Sequence, residues 1–337
     1  MEQDLVRRAG VDFVSIPAGA MHAVGVWRMV TGACKLMRGV VRACILISRF
    51  HPHVVLLTGG YVGVPVSIAA WLHRVPTVVY LPDIEPGQAL KVMAILATKV
   101  ATTTEESSRY IKAAKLVVTG YPVRQAFHQV KRDEARAHFG IGPNDWILLI
   151  FGGSKGARSI NRAVTSNIQA LLELQKQGEA SRHAVSRVIH VSGQDDWPEV
   201  QAAWELLPVE QRSRYTVFPY LHEEMASAMA AADLVVCRAG ASVLGELPAV
   251  GLPAVLVPYP YAWRYQKMNA SYLVGRGAAV MVEDAQLKDE LVRVVSQLWS
   301  DPQSLSVMRQ SMQAQSGRDG ATEIAQLLLR VGVGAMG

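Results

Sequence analysis

The chain has 337 residues, of which 50% are hydrophobic and 18% charged, which excludes a disordered protein and is enough for two α/β domains. A net charge of +6 suits an anionic ligand or an anionic membrane surface, whereas no basic run interleaved with aromatics and no zinc spacing indicates nucleic acid. Three scattered cysteines argue against a disulfide framework and for a reducing compartment. No signal-peptide pattern and no apolar run of about 18 residues is visible.

The segment from Ala23 to Phe50 is predicted to be a helix with a basic stripe. Its basic residues are Arg28, Lys35, Arg38, Arg42 and Arg49. Four of them are seven positions apart, so they share one helix surface, and the opposite surface is apolar. Two interpretations stay open: a helix lying on an anionic bilayer, and a crossover helix packed on a sheet with a solvated basic edge.

Short, continuously apolar runs then alternate with helix-length segments. The runs lie at 53–58, 77–81, 115–119, 146–151, 187–191, 215–218, 233–237 and 254–257. Continuous apolar runs are typical of strands covered on both faces, and strands that alternate with helices form right-handed βαβ units. The sequence therefore predicts an α/β protein with parallel sheets.

A polar stretch over 131–145 predicts a boundary between two domains, because a new strand pattern starts directly after it. We expect a first domain over 1–125 and a second over 126–316. The remaining segment, 317–337, contains a helical pattern that is compatible with packing on either domain, including back on the first.

The strongest local motif follows the strand at 146–151 and reads Phe-Gly-Gly-Ser-Lys-Gly-Ala-Arg-Ser-Ile-Asn, from Phe151 to Asn161. Gly152, Gly153 and Gly156 let the backbone turn tightly and approach a ligand, and the following helix N-terminus offers unpaired N–H groups. Together they predict an anion site. The spacing matches neither G-x-G-x-x-G nor Walker A, and a plain tight turn is the alternative.

A second motif, from Cys237 to Glu246, again joins a strand to a helix through small residues. Ser242 is expected to cap the helix, and Glu246 lies four residues further on the same face. A carboxylate there can accept both ribose hydroxyls; the alternative is an acid that compensates the helix dipole. Because both motifs follow strands of one sheet, we expect them to bind a nucleoside diphosphate together.

A third glycine motif lies in the first half of the chain, at Thr58-Gly-Gly-Tyr-Val-Gly-Val-Pro65. Gly59 and Gly60 follow a predicted strand and precede a helix. The motif is compatible with a further phosphate loop and equally with a βα turn that packs its helix closely.

Five segments, in order, resemble the peptidoglycan N-acetylglucosaminyltransferase family of glycosyltransferase family 28. Residues 152–158 resemble its GGSxGA loop, 237–246 its nucleotide-recognition loop and helix, and 59–62 its first-domain glycine loop. Residues 120–124 (Gly-Tyr-Pro-Val-Arg) resemble its GNPVR segment, and 266–270 (Gln-Lys-Met-Asn-Ala) its Q-x-x-N-A helix start. The resemblance implies two Rossmann-like domains facing a cleft, the GT-B fold.

The resemblance also implies roles for individual residues. UDP-N-acetylglucosamine would bind mainly to the second domain, with Ser154 and Arg124 at the diphosphate or sugar and Gln266 at the sugar hydroxyls. The backbone near Leu221 would meet the uracil, and Glu246 the ribose. The α-phosphate would lie on the second loop, at Ala241, Ser242, Val243, Leu244 and Gly245.

The implied activity is an inverting transfer of N-acetylglucosamine to lipid-linked N-acetylmuramyl-pentapeptide in peptidoglycan synthesis, which underlies cell-wall biogenesis, cell shape and cell division. The implied location is the cytoplasmic face of the cell membrane, as a peripheral protein. No cofactor is expected, and no metal is required if helix N-termini and an arginine stabilise the leaving diphosphate.

The sequence departs from the family pattern in two places. The family's first strand, glycine-rich loop with its histidine, and helix do not precede Met1, so about 35 residues are expected to be missing and the first domain incomplete. Met1 to Val6 resembles a segment that follows this unit in the family. Asp83 stands where the family usually has Asn; it can act as a base or accept from an acceptor hydroxyl, or simply be a turn residue before Pro86.

One hypothesis is an active transferase whose true first residue lies upstream of Met1, and the two departures leave alternatives to it. The chain could be a donor-binding pseudoenzyme, or one subunit of a split transferase that is inactive alone. A UDP-sugar epimerase is a third hypothesis, which the 152–158 loop and the Q-x-x-N-A segment disfavour. The catalytic base remains unassigned, with Asp83 as the candidate.

Overall fold

The computed structural model describes residues 6–7, 10–17, 26–142, 145–153, 156–174, 185–261 and 265–334, without the side chains of 26–31, 33, 185 and 186. The chain forms two compact units. Unit 1 comprises Met1–Pro82, Pro86–Thr119 and Thr322–Gly337, and unit 2 comprises Asp83–Glu85 and Gly120–Ala321. The segment 83–85 therefore packs with unit 2 although its neighbours in sequence belong to unit 1.

Unit 1 contains a parallel four-stranded sheet in the order β1-β2-β3-β4. Its strands are β1 (Val55–Leu57), β2 (Thr77–Leu81), β3 (Lys99–Thr102) and β4 (Leu116–Val118). Its helices are α1 (Val26–Phe50), α2 (Gly60–Leu72), α3 (Gln88–Leu96), a 3₁₀ turn (Glu105–Arg109) and, from the C-terminal segment, α14 (Gly320–Val333).

Strand β2 shows why the apolar runs are continuous rather than alternating. Val79 belongs to a core cluster with Met93 of α3, whereas Val78 belongs to a cluster with Ile324 and Leu327 of α14. All five residues of the strand are buried. Helices thus cover both faces of the sheet, as the sequence predicts for parallel strands.

Helix α1 packs through a stripe of small and apolar residues that includes Ala43 and Ile47, against Ala69 and Ala70 of α2. Its exposed surface differs from the expectation of a purely basic stripe opposite an apolar face. The basic side chains described there are exposed, namely Lys35, Arg38, Arg42 and Arg49. Beside them on the outer surface lie Met37, Val41 and Ile45, which are 69%, 59% and 47% exposed. The side chain of Arg28 is outside the described part of the chain.

Unit 2 contains a parallel six-stranded sheet in the order β10-β9-β8-β5-β6-β7. Its strands are β5 (Trp146–Phe151), β6 (Val185–Val191), β7 (Tyr215–Phe218), β8 (Leu234–Cys237), β9 (Ala254–Leu256) and β10 (Ala279–Met281).

Helices cover both faces of this sheet. In chain order they are α4 (Gln125–Gln129), α5 (Arg132–His138), α6 (Arg158–Leu172), α7 (Trp197–Glu205), α8 (Val209–Arg212), α9 (Glu224–Ala231), α10 (Glu246–Val250), α11 (Tyr265–Val274), α12 (Leu287–Ser300) and α13 (Pro302–Gln313), with 3₁₀ turns at Ala241–Leu244 and Asp284–Gln286. The core residues of β5 alternate between two clusters, one on each face of the sheet. Among the helices described, none is long and apolar enough to cross a membrane.

The predicted α/β class with two parallel sheets is confirmed, and three predicted strands, at 77–81, 146–151 and 215–218, have the bounds that the structure shows. The other predicted strands agree within two residues at each end. Two strands were missed. Lys99–Thr102 begins with a lysine and ends with a threonine, and Ala279–Met281 is only three residues long, so neither gives a clear apolar run.

Candidate nucleotide-binding site

The two glycine-rich loops of unit 2 begin at the same edge of the sheet. Phe151, the last residue of β5, pairs with Val191 of β6 on one side and with Cys237 of β8 on the other. The chain runs from β5 outward through β6 and β7, and then from β8 outward in the opposite direction. The gap between β5 and β8 is therefore the topological switch point, where open α/β sheets bind ligands. Both loops follow strands of one sheet, as expected from the sequence, and the structure shows that these two strands are neighbours.

The first loop, after β5, can be built only from glycines at its described positions. A Cβ atom on Gly152 would lie 2.3 Å from the Ala157 nitrogen, and one on Gly156 would lie 2.2 Å from the Ser192 carbonyl oxygen. Gly153 and Gly156 have φ of +102° and +86°. Ala157 precedes α6 at the N-cap and has no side chain that could accept from the first N–H groups of the helix. A helix N-terminus without a side-chain cap, next to a loop of glycine backbone, suits an anion. Ser154 lies outside the described residues.

A buried polar chain lies directly behind this loop, and sequence reasoning missed it. Asn161 of α6 donates from Nδ2 to the Ser192 carbonyl (2.9 Å) and to Asp196 (2.9 Å), so its Oδ1 accepts from Nε2–H of His190 (2.9 Å). Nδ1 of His190 then accepts from the hydroxyl of Tyr215 (2.7 Å). Burial lowers the pKa of His190 to about 3, so this histidine is neutral. The network holds α6 and the loop before it against β6.

The second loop, after β8, forms a 3₁₀ turn over Ala241–Leu244 and then enters α10 at Glu246. Val243 and Leu244 point into the core, at 3% and 6% exposure, so they can offer a ligand only their backbone. A Cβ atom on Gly245 would lie 2.6 Å from that of Tyr121. The close approach of the Tyr121 segment therefore requires glycine at this position.

Ser242 does not cap the helix, contrary to the expectation from the sequence. Gly240 precedes the 3₁₀ turn and Gly245 precedes α10, and neither provides a side-chain cap. The side chain of Ser242 instead hydrogen-bonds to Glu246, as their spacing of four residues allows. The reason is that a 3₁₀ turn separates the loop from α10, which moves the helix start past Ser242.

Glu246 is a half-buried carboxyl group in a weakly compensated environment. Burial raises its pKa above the usual range, while the hydrogen bond from Ser242 and the positive charge of Arg124 act in the opposite direction. Tyr121 lies beside it, and burial together with the charges of Glu246 and Asp83 raises the pKa of that phenol to about 12. A phenol that stays protonated is a hydrogen-bond donor. Tyr121 was not selected from the sequence.

Arg124 and Leu221 are brought together from distant parts of the chain. Nη1 of Arg124 donates to the His222 carbonyl oxygen (3.3 Å), next to Leu221 in the segment after β7. Leu221 itself is buried, with only 4% of the residue exposed. The remainder of the Arg124 side chain is exposed and lies over the ring of Phe127, with its guanidinium carbon 5.1 Å from the centroid.

Gln266 occupies the first turn of α11 and is held by the loop after β9. Its Oε1 accepts from the backbone N–H of Tyr259 (2.9 Å). This contact leaves the amide nitrogen of Gln266 as a donor of fixed orientation. The next helical turn contains Asn269, which is fully buried.

Asp83 belongs to unit 2 because Asn269 anchors it there. Nδ2 of Asn269 donates to Oδ1 of Asp83 (2.8 Å) and to the Ala239 carbonyl (3.1 Å), and its Oδ1 accepts from the Ile84 N–H (3.2 Å). Burial raises the pKa of Asp83 although this hydrogen bond lowers it. Besides its place in the turn before Pro86, Asp83 thus has a hydrogen bond to α11. Asn269 was visible in the sequence as part of Q-x-x-N-A, but nothing there linked it to residue 83.

The third glycine motif lies in unit 1, after β1. Gly59 has a φ of +114° and precedes α2, and Gly60, the first residue of that helix, has a φ of +73°. A Cβ atom on Gly59 would touch Leu90 at 3.8 Å, and one on Gly60 would meet open space. Positive φ, rather than close packing, is the reason for both glycines.

Comparisons with known proteins identify the family of the chain. The chain matches the models of the glycosyltransferase family 28 N-terminal domain (residues 1–102) and C-terminal domain (residues 147–328). It is 41% identical to the UDP-N-acetylglucosamine–N-acetylmuramyl-(pentapeptide) pyrophosphoryl-undecaprenol N-acetylglucosamine transferase of Roseiflexus sp. (strain RS-1), over 97% of this chain and 81% of the relative. It is 38% identical to the enzyme of that name from Moorella thermoacetica, over 98% and 88%.

Solved structures share the fold. The crystal structure of Acinetobacter baumannii MurG superposes with a TM-score of 0.75 at 23% identity, over 98% of this chain and 88% of that one. A UDP-GlcNAc 2-epimerase from Neisseria meningitidis, bound to UDP-GlcNAc, gives a TM-score of 0.68 at 14% identity, over 98% and 88%. These likenesses show the fold alone. The two domain models and the identity to the curated transferases show that the chain belongs to glycosyltransferase family 28, among the UDP-N-acetylglucosamine–N-acetylmuramyl-(pentapeptide) pyrophosphoryl-undecaprenol N-acetylglucosamine transferases.

Proposed function

We propose that the protein is an inverting glycosyltransferase that moves N-acetylglucosamine from UDP-N-acetylglucosamine to undecaprenyl-pyrophosphoryl-N-acetylmuramyl-pentapeptide, the lipid I to lipid II step of peptidoglycan synthesis. The observation that carries the proposal is the identity of 41% over 97% of the chain to a transferase with this name. The site in unit 2 supports it, because its two loops and the carboxyl group of Glu246 have the chemistry of a nucleoside-diphosphate site.

The donor is proposed to occupy the switch point between β5 and β8. Glu246 accepts from the ribose hydroxyls, the backbone of Ala241 to Gly245 contacts the α-phosphate, and the first glycine loop, with Ser154, the remaining phosphate or the sugar. Arg124 adds positive charge near the diphosphate, where charge develops as UDP leaves. Gln266 donates to a sugar hydroxyl, and the backbone at Leu221 meets the uracil.

Asp83 is proposed to accept the proton of the acceptor hydroxyl. In the transfer, the hydroxyl oxygen bonds to the anomeric carbon, the bond from that carbon to the diphosphate oxygen breaks, and UDP leaves with its electron pair. The hydroxyl proton passes to the carboxylate of Asp83. Its raised pKa makes it a stronger base than an exposed aspartate, and Asn269 fixes one of its oxygens.

Release of UDP from UDP-N-acetylglucosamine, with and without the lipid-linked acceptor, tests the activity. We expect UDP release and a disaccharide lipid product only when the acceptor is present. Donor binding without turnover would indicate a pseudoenzyme or one subunit of a split transferase. Conversion of the donor without any acceptor, with formation of an epimer, would instead indicate an epimerase.

The variant Glu246→Gln tests the donor site. It keeps the shape of the side chain and its bond to Ser242, but it removes the charge that accepts from two hydroxyls. We expect UDP to bind roughly tenfold to a hundredfold more weakly in a calorimetric titration. Glu210→Gln, on the exposed surface of α8, is the matched control and should bind UDP as the unchanged protein does. An unaltered affinity of Glu246→Gln would contradict the assignment.

Helix α1 is proposed to bring the enzyme to the cytoplasmic face of the membrane, where the lipid-linked acceptor lies. Its outer surface combines exposed apolar side chains (Met37, Val41 and Ile45) with the basic side chains of Arg38 and Arg42 beside them. This is the composition of a helix that lies in the interface of an anionic bilayer, with apolar groups inserted and cations at the headgroups. A helix that only packs on a sheet does not need exposed apolar side chains such as those of Met37, Val41 and Ile45.

Sedimentation with vesicles that contain anionic lipid tests this location. We expect the double variant Arg38→Gln, Arg42→Gln to lose most of its vesicle binding, at about 1 kcal/mol for each cation. The control is Lys288→Gln with Arg293→Gln, which removes two exposed charges from unit 2. Equal binding of both double variants would refute a role of α1.

A further inference from the structure

Arg238 is the first residue after β8 and lies at the edge of the sheet where the nucleotide is proposed to bind. Its place in the chain, directly before the second loop, would suit a cation that contacts a phosphate. The structure shows a different arrangement, because the residue is only 8% exposed. A guanidinium group that is buried to this degree is retained only where several partners accept from it.

Those partners come from three other segments of unit 2. Nη1 of Arg238 donates to Oδ1 of Asp284 (2.5 Å) in the 3₁₀ turn after β10, and to the carbonyl oxygens of Val257 (3.2 Å) and Pro258 (3.4 Å) after β9. Nη2 donates to Oγ of Ser159 (2.7 Å) in the first turn of α6. The planar fork of the guanidinium allows one side chain to reach all of them at once.

The contact with Ser159 connects the two glycine loops. Ser159 is the second residue of α6, and it directly follows the first loop. Its hydroxyl donates to Oδ1 of Asp284 (2.6 Å) while it accepts from Arg238, so the three side chains close a triangle. Through this triangle the start of α6 is held at a fixed distance from the residue that opens the second loop.

The same side chain also supports the segment that orients Gln266. Its guanidinium carbon lies 5.2 Å from the ring centroid of Tyr259, within the range of a cation–π contact. The backbone N–H of Tyr259 is the donor that fixes Oε1 of Gln266. Arg238 thus contacts each of the segments that carry the phosphate loops and the proposed sugar contact.

We propose that Arg238 is a positioning residue that sets the spacing between the two glycine loops, so that one nucleoside diphosphate sugar can contact both. This inference rests on the proposed donor site. By fixing this spacing, Arg238, Ser159 and Asp284 would favour binding of a nucleoside diphosphate sugar over a nucleoside monophosphate. A nucleoside monophosphate needs only the second loop and Glu246, whereas the diphosphate sugar needs the first loop at the correct distance.

Calorimetric titrations with UMP and with UDP-N-acetylglucosamine test the inference on Arg238→Lys. Lysine keeps the charge opposite Asp284 but cannot reach Ser159 and the carbonyl oxygens at the same time. We expect the affinity for UDP-N-acetylglucosamine to fall by about tenfold and that for UMP to change by less than about twofold. A general loss of stability would weaken both ligands alike, so an equal loss for both would overturn the inference.

Two further variants keep the test decisive. Ser159→Ala removes only the connection to α6 and leaves the Arg238–Asp284 pair, and we expect the same selective loss at a smaller size. If Arg238 contacted the phosphate directly, Ser159→Ala would show no selective loss. Arg309→Lys is the control, because that half-buried arginine also donates to backbone carbonyls, those of Gly251 and Asp233, but at the opposite edge of the sheet.

The outcomes separate this inference from the proposed function. If the unchanged protein binds both ligands and Arg238→Lys loses neither selectively, only the positioning role is overturned. If the unchanged protein binds neither ligand, the proposed donor site is wrong and the inference falls with it. A selective loss in both Arg238→Lys and Ser159→Ala, with Arg309→Lys unaffected, supports the role.

Discussion

The neutral, fully buried His190 makes unit 2 sensitive to acid. Burial lowers the pKa of this imidazole from 6.5 to about 3. Between these two values the unfolded chain binds a proton that the folded chain does not, so the free energy of unfolding must fall as the pH falls. The contribution of His190 to the free energy of unfolding is fully present above about pH 6.5 and is lost progressively as the pH falls to about 3.

The size of the effect follows from the shift. Each pKa unit corresponds to about 1.4 kcal/mol, so the whole shift is worth about 5 kcal/mol, and the part lost between neutral pH and pH 5 is about 2 kcal/mol. This is a large fraction of the 5–15 kcal/mol that is typical of a folded domain. A protonated His190 would also have to donate from Nδ1, where Tyr215 now donates to it, so the hydroxyl of Tyr215 would have to rotate and accept instead.

The variant His190→Gln isolates this contribution. A glutamine amide can donate to Asn161 and accept from Tyr215, but it does not titrate. We expect the unchanged protein to lose about 2 kcal/mol more than the variant between pH 7 and pH 5. Urea unfolding measured by tryptophan fluorescence gives the free energies, and hydrogen exchange of peptides from β6 assigns the loss to unit 2.

The reasoning would be refuted by parallel behaviour of the two proteins. If both lose the same free energy between pH 7 and pH 5, His190 is not the group that titrates. If the unchanged protein gains stability on acidification relative to the variant, the sign is wrong, and the histidine must be charged in the folded state. A stability of His190→Gln below that of the parent at pH 7 is compatible with the reasoning, since only the difference between the two pH values is predicted.

Two further predictions concern the site itself. Gly156→Ala should destabilise unit 2 by more than about 1 kcal/mol in urea unfolding, because φ is +86° and the added Cβ would meet the Ser192 carbonyl oxygen at 2.2 Å; an unchanged midpoint would contradict the loop geometry. Asp83→Asn should remove the acid limb of the transfer rate against pH, which in the parent protein should lie above the ordinary aspartate range because burial raises the pKa of Asp83; an acid limb that persists in the variant would exclude Asp83 as the base.

Strand β5 and the glycine loop after it could be predicted from the sequence, because both depend on residues that are close together in the chain. The run Trp146–Phe151 was predicted to be a strand and forms strand β5 in the structure. Six apolar residues between a polar segment and a glycine pair are typical of a buried strand. The tight loop after this strand was also predicted from a local pattern, namely the glycines at 152, 153 and 156. Their necessity follows from positive φ and from close backbone approach, which are properties of the chain nearby.

The contacts between distant residues could not be predicted in this way. Asp83 and Asn269 are separated by 186 positions, and their pairing depends on how the segment 83–85 packs with unit 2. Arg238 illustrates the same limit. A basic residue before a phosphate loop indicates an exposed cation, and only its contacts with Ser159 and Asp284 show that it is buried. Sequence spacing carries no information on such long-range partners, so a side chain's role remains open until the fold is known.

Glu246 and Asp83 show a common property of this site. Burial raises the pKa of both carboxyl groups, and each accepts a hydrogen bond from one described side chain, Ser242 or Asn269. An ionised carboxylate has about four acceptor positions. Protein donors within the described residues therefore use only part of the capacity of either group, and ligand hydroxyls can use the rest. Such an arrangement destabilises the unliganded protein, and a ligand hydroxyl that donates to either carboxylate would offset part of the cost of burying it.

This property predicts that donor binding is coupled to proton release at Glu246. Ribose hydroxyls that donate to the carboxylate favour its ionised form, so binding lowers a pKa that burial had raised, and a proton leaves. Affinity for UDP-N-acetylglucosamine should accordingly weaken as the pH falls through the raised pKa of Glu246. Both phosphates of this ligand are diesters and do not titrate there. Calorimetry in buffers of different ionisation enthalpy measures the released protons, and Glu246→Gln should release fewer. Equal release by both proteins would mean that the ribose does not contact this carboxylate.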